Sequence, residues 1–284
     1  MIAFPALRNP VAVRNLAEFA GASAIALVSV AGALHVAPHL HDARVYWEAW
    51  QGPLYAGAFV YPPPAGLLFA PAAILPWPAF AAVWLGVLAV AGAWLLWPLP
   101  LHLRVPFFVA LSATFAWANA ATVIAVALAL ARRWPVLWAA VAWTKVTPVV
   151  AAASLLRQRR WRDLAVAVGA CAGVGLVVLI LAPGSLGEWL SQLARHPEIP
   201  SYYLAMLAWV PPFWIRLAAA TAIAAWGGSR WWTILVAAAL ATPDLSIATC
   251  GILAAAPRLM TLSSPAGSAE SVSRTGAVRA RQGT

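Results

Sequence analysis

The chain alternates long apolar runs with short polar breaks. Ala17 to Val36, Ala79 to Trp97 and Leu164 to Ala182 carry few or no charges. Each is close to the roughly 20 residues that cross a bilayer as a helix. The pattern predicts a short basic lead over 1–15, a first helix over about 16–36 and a polar loop over about 37–60. A bent or short second helix is expected over 61–76, where Pro62, Pro63, Pro64, Pro71 and Pro76 interrupt it. Proline lacks an N–H and kinks a helix interior, which lipid tolerates only where neighbours or water satisfy the freed carbonyls. A third helix follows over 78–98, and 105–131 reads as one long tilted helix or two short ones broken near Trp117–Asn119. Residues 134–156 predict another span, interrupted by "WTKVTP", and 164–182 one more. The segment 183–203, "PGSLGEWLSQLARHPEIPSYY", reads as a loop with a short interfacial helix. A span over 204–225, a turn at "GGSR" and one or two short spans over 231–256 complete the core. The tail, 261–284, has almost nothing to bury, and disorder is expected there.

Composition sharpens this into an integral membrane protein. The chain is 63% hydrophobic and 9% charged, whereas soluble domains average about 45–50% and about 25%. The net charge of +10 does not indicate nucleic acid, because the arginines sit at segment ends: Arg132 and Arg133, Arg157 to Arg162, Arg258. Basic loops stay cytoplasmic, so the first polar loop is expected on the outer face and the tail inside a multi-pass protein of the cell membrane. The basic run 157–162 then needs an even number of spans before it. Two short segments in 105–131 meet that condition, for about nine or ten spans in all. Cys171 and Cys250 lie in apolar segments and read as packing residues. The first apolar run exceeds the usual 7–15 residues of a signal-peptide core, which favours a retained anchor.

Charges within or beside spans are costly and are candidates for function. Asp42 follows the first helix, flanked by His39 and His41 and followed by Arg44 and "VYWEAW". A carboxylate, a guanidinium and aromatics such as Tyr46, Tyr55 and Tyr61 suit a sugar, and a carboxylate can take the proton of a hydroxyl nucleophile. An exposed acid beside an interfacial aromatic belt would look much the same. Lys145 stands in an apolar run three residues before Pro148. It reads as a cation for a phosphate at the membrane boundary or as a snorkelling side chain. Glu188, Arg195, His196 and Glu198 share the later loop, and Asp244 precedes a short apolar run, where helix capping is the simpler reading. Glycine-rich phosphate loops, zinc spacings and the G-x-S-x-G elbow are absent from the sequence.

The block "HDARVYWEAWQGPLYAGAFVYPPPAGLLFAPAAILPWPAFAAVW" resembles the first outer loop and second helix of the glycosyltransferase 87 (DUF2029) family. The matching positions are Asp42, Tyr46-Trp47, Gly52 with Leu54-Tyr55, Tyr61-Pro62-Pro63 and Pro71. "WTKVTPVVAAASLLRQRRWRDL" is similar to that family's Lys-x-x-Pro helix with its basic turn, and "IPSYY" departs from its Asn-Gln-Ser-like step. The resemblance implies an all-α GT-C bundle and transfer of a hexose, mannose being the expected sugar. The donor would be a polyprenyl-phosphate sugar, a co-substrate rather than a cofactor, and the acceptor a glycolipid or glycan at the outer leaflet. It further implies Asp42 as catalytic base, inversion of configuration, and neutralisation of the leaving phosphate by Arg44 or Lys145, with no metal. Tyr46, Tyr55, Tyr61 and His196 would contact substrate.

A different class stays open beside it. A transporter, flippase or assembly partner for envelope glycolipids would share the composition. Paired half-repeats with broken helices, frequent in transporters, are not visible.

Overall fold

Apolar segments in lipid must satisfy their backbone internally, and helices do so. A computed structural model describes residues 10–34, 40–195, 211–227, 230–243 and 248–263, and every element among them is helical. They are α1 (Pro10–Leu34), α2 (His41–Glu48), α3 (Pro63–Ala73), α4 (Trp77–Leu96), α5 (Leu101–Phe115) and α6 (Ala121–Ala131), then α7 (Trp138–Thr144) and α8 (Ala153–Arg157). The chain closes with α9 (Trp161–Leu181), α10 (Ser185–Arg195), α11 (Phe213–Trp226), α12 (Trp231–Leu240) and α13 (Ala256–Ser263). Short 3-10 stretches lead into α7, α8 and α13.

Among the described residues, three helices are long and apolar enough to cross a membrane: Pro10–Ala31, Trp77–Leu96 and Trp161–Leu181. They coincide with the three long apolar runs of the sequence. Their outward residues are large and apolar, with Leu27, Val28, Val90 and Ile180 all widely exposed. A surface of this kind needs lipid rather than water around it. The shorter helices α6, α7, α8, α11 and α12 pack inside on Leu95, Ile124, Leu128, Val141, Leu155 and Leu235. The small residues Ala121, Ala125, Ala129, Ala220 and Ala238 are all buried in that core, which lets helix backbones approach closely.

The region 105–131 is two helices. The break falls at 116–120, where Ala118 adopts a left-handed backbone (φ 52°). The segment 61–76 is short, as expected. It forms an 11-residue helix, α3, that does not lead away from the first loop. Trp50 Nε1 donates to the carbonyl of Gly66 near the start of α3, while Gln51 and Trp47 donate to Ala73 and Leu75 at its end. Pro63 and Pro64 fix its first turn, and Pro76 opens the next helix. The proline run thus folds a short helix back beside α2, and α4 is the element that leaves.

Residues 134–156 differ from a single span. The helix stops at Thr144, Lys145 is extended (φ −141°, ψ 116°), and a 3-10 turn starts the return at Thr147. Pro148 favours this, because a helix continuing through it would need an N–H for the Thr144 carbonyl, which proline lacks, and its ring would clash with that carbonyl. Both legs begin and end at one place, since Arg160 Nη2 donates to the carbonyl of Arg132 at 2.9 Å. The result is a hairpin with Lys145 at its tip. Trp143 holds it to α9 by donating to the Cys171 carbonyl at 2.9 Å. Gly175 leaves room for that indole, since a Cβ there would come within 3.0 Å of the ring.

The predicted tail begins later than expected, because α13 continues to Ser263. Residues 264–284 lie outside the described residues.

Candidate functional site

The site is assembled around the break between α5 and α6. A helix leaves carbonyls unsatisfied at its C-terminal end and N–H groups unsatisfied at its N-terminal end. Here the two kinds meet. Leu40 N–H donates to Ala116 O at 2.5 Å and Asp42 N–H to Trp117 O at 3.0 Å. The first turn of α2 is therefore capped by main chain, and Leu40 accepts a left-handed backbone (φ 59°) to reach it. Asp42 sits in that first turn, where a negative charge is favoured by the helix dipole. Trp84 Nε1 donates to Ala118 O at 2.7 Å and closes the break from the α4 side.

Asn119 joins the two parts. Its Oδ1 accepts the N–H of Ala121 at 2.9 Å, at the start of α6. Its Nδ2 donates to Oδ2 of Asp42. One buried amide thus starts a helix and orients a carboxylate. A hydrogen bond to a charged group is worth roughly 1.5–3 kcal/mol.

Below Asp42 lies an aromatic cluster. Tyr46 is fully buried and stacks on Phe69 with centroids 4.2 Å apart. The Tyr46 hydroxyl donates to the Tyr61 hydroxyl at 3.2 Å and accepts the Ala120 N–H at 3.3 Å. Tyr55, also buried, donates to the Tyr61 carbonyl at 3.0 Å. Burial pushes the Tyr55 phenol well above its ordinary range, and the nearby Glu188 carboxylate adds to the shift. Tyr46 and Tyr55 therefore support the cluster, and neither presents a ring face to a sugar. Tyr61 keeps part of its surface open.

Lys145 arrives from the hairpin tip, the chain's only lysine. It is buried at 8% exposure, so it does not snorkel to an interface. Its Nζ lies 6.0 Å from the Tyr61 ring centroid, within reach of a cation–π attraction. Arg44 is placed elsewhere. Its Nε is 2.6 Å from Glu48, and its guanidinium lies over Trp47 and Trp77 at 5.1 and 5.0 Å. Its charge is already balanced, and of the two cations it is Lys145 that reaches the cluster.

The expected interfacial helix of the later loop is α10. It turns Ser185, Trp189 and Gln192 inward. Trp189 donates to Val60 O at 3.0 Å and Gln192 to Gly57 O at 3.1 Å. It covers the first loop like a strap. His196, Glu198 and Asp244 lie outside the described residues. A groove of about 300 Å³ opens on the loop between Val45, Glu48, Gln51 and Phe59. Asp42 does not line it and stands one helical turn from Val45.

Sequence reasoning missed Asn119 as a site residue and saw it only as a break. The signal was there, as a lone amide in an apolar run. Trp84, Phe69 and Gln192 gave no comparable signal.

Set against known protein families, curated proteins and solved structures, the chain has no match. The geometry therefore carries the functional reading.

Proposed function

We propose that the protein is a membrane glycosyltransferase that moves a hexose from a polyprenyl-phosphate donor to a lipid or glycan acceptor, with inversion. The observation that supports it is a buried lysine 6.0 Å from the Tyr61 ring, in a tyrosine cluster whose Tyr46 hydroxyl accepts the Ala120 N–H beside Asn119, the residue that holds the Asp42 carboxylate. The similarity of the Asp42–Pro71 block to the glycosyltransferase 87 family points the same way.

The chemistry is a single displacement. Asp42 takes the proton of an acceptor hydroxyl as its oxygen attacks the anomeric carbon. The bond from that carbon to the phosphate oxygen breaks, and its electron pair leaves on the phosphate. Lys145 faces the developing negative charge, and placed positive charge is often the largest catalytic contribution. Asn119 holds Asp42 in position by donating to one of its oxygens. The groove from Val45 to Phe59 offers the acceptor a path that ends one turn from Asp42. The outer-face location and the donor's arrival through the lipid belong to the same proposal.

The test is incubation of membranes with radiolabelled polyprenyl-phosphate mannose. Labelled glycolipid and free polyprenyl phosphate are expected from the native protein, and neither from Asp42→Asn. Full transfer by Asp42→Asn would reduce the Asp42–Asn119 bond to a structural tie. Movement of the lipid-linked sugar between leaflets without release of lipid phosphate would point to a transporter or flippase.

A further inference from the structure

The hairpin's two feet carry a second feature at the opposite end of the bundle from Asp42. Arg132 and Arg133 end one leg, and Arg157, Arg159, Arg160 and Arg162 follow the other. Asp163 lies among them and is taken by Arg160 at 2.5 Å. Arg133, Arg157, Arg159 and Arg162 are exposed. Trp134 and Trp161 flank the group at 50% and 60% exposure, as indoles do at a headgroup layer. Burial holds the Arg132 guanidinium below its usual range, and repulsion from Arg160 adds to this. An anion between such neighbours relieves that repulsion.

Arg159 supplies an independent sign. α8 ends with Arg160 N–H donating to Leu155 O and Arg159 N–H to Leu156 O, both at 3.0 Å. That is the Schellman pattern, and the residue at its left-handed position is usually glycine. Here it is Arg159, with φ 54°. The backbone is strained to keep a guanidinium where glycine would fit without cost. Strain of this kind is retained where a side chain has work to do.

We propose that Arg132, Arg133, Arg157, Arg159 and Arg162, gathered around Arg160, bind the phosphate headgroup of an anionic phospholipid. Basic pockets at helix ends recognise such headgroups, and the apolar flanks of α9 would receive the acyl chains. The lipid bridges the two feet of the hairpin, so it also steadies Lys145 at the tip. The inference needs only a membrane setting and stands apart from the transferase reading.

The test is native mass spectrometry of the full chain with dioleoylphosphatidylglycerol or dioleoylphosphatidylcholine. Preferential, salt-sensitive retention of phosphatidylglycerol is expected. Each arginine removed should weaken it about five-fold. Arg159→Gly is the sharpest variant, because it should raise the melting temperature while lowering lipid retention, which separates binding from folding. The pair Arg133→Gln and Arg162→Gln, which touches neither Arg160 nor Asp163, provides a second measure. Equal retention of both lipids, or retention unchanged in both variants, would overturn the proposal and leave the arginines as orientation signals.

Discussion

Asn119 and Asp42, 77 residues apart in sequence, share a hydrogen bond that ties the start of α6 to the first turn of α2. The amide works in both directions, since its oxygen holds Ala121 N–H. Asn119 is accordingly a positioning residue for Asp42. Asn119→Ala should lower stability by about 1–3 kcal/mol through the lost bonds to Asp42 and to Ala121. Asn119→Asp is the more telling change. It can still accept from Ala121, but it sets a second carboxylate against Asp42, which makes Asp42 harder to ionise. The acidic limb of the kcat/KM profile should move to higher pH, with kcat falling more than KM rises. An unmoved profile would confine Asn119 to structure.

Lys145→Met should leave the helical signal intact, because methionine is an unbranched apolar side chain of similar reach that adapts to the space. Transfer from a polyprenyl-phosphate donor should fall by roughly 10²–10³-fold, the usual loss for one electrostatic contact in a transition state. Lys145→Arg should recover only part, as a forked guanidinium fills the space differently. Initial rates with labelled donor read both. Native rates in Lys145→Met would remove the lysine from the chemistry.

Tyr55 predicts a pH dependence of stability. Its phenol is held above the ordinary value of 10.0 in the folded chain. The folded state thus binds the proton more tightly than the unfolded one. The corresponding stability is fully present below the unfolded value and is lost as pH rises through the window between the two. Melting temperature should therefore decline from about pH 10 upward. Tyr55→Phe should cost about 1 kcal/mol at neutral pH for the lost bond to Tyr61 O, and the alkaline decline should flatten. Thermal melts of both proteins across that range provide the check.

The strap formed by α10 is testable on its own. Trp189→Phe combined with Gln192→Ala removes the bonds to Val60 and Gly57 while keeping most of the packing. Backbone amides of 56–61 should exchange faster, and KM for the acceptor should rise with little change in melting temperature. Unchanged exchange would show that the loop holds itself.

Much of this was legible in the chain, for definite reasons. Long apolar runs report themselves, so α4 and α9 stand close to where the pattern put them, while α1 starts at Pro10, inside the expected basic lead of 1–15. The break at Trp117–Asn119 followed from the parity of basic segments, and the first loop from its concentration of polar and aromatic residues. Direction was not legible. A window of apolar residues over 61–76 or 134–156 looks the same whether it crosses or turns back, and only Trp47, Trp50 and Gln51 on one side, and Arg160 on the other, reveal the return. Arg44 illustrates a second limit. Its neighbours Glu48 and Trp47 in sequence, with Trp77 from α4, balance its charge, which a list of cations near an acid does not disclose. Asn119 illustrates a third, because its partner is 77 residues away and no local pattern links them.

Two of the chain's apolar segments, then, double back on their neighbours. Were α3 and the Lys145 hairpin each to stay on one side of a membrane, and α1, α4, α5 and α6 to cross it, the even count before the basic run would be met. Reporter enzymes fused after Leu99 and after Arg159 should therefore register the same compartment, and those fused after Gly57 and after Pro183 the other. Inserting a reporter would map these turns more directly than hydropathy.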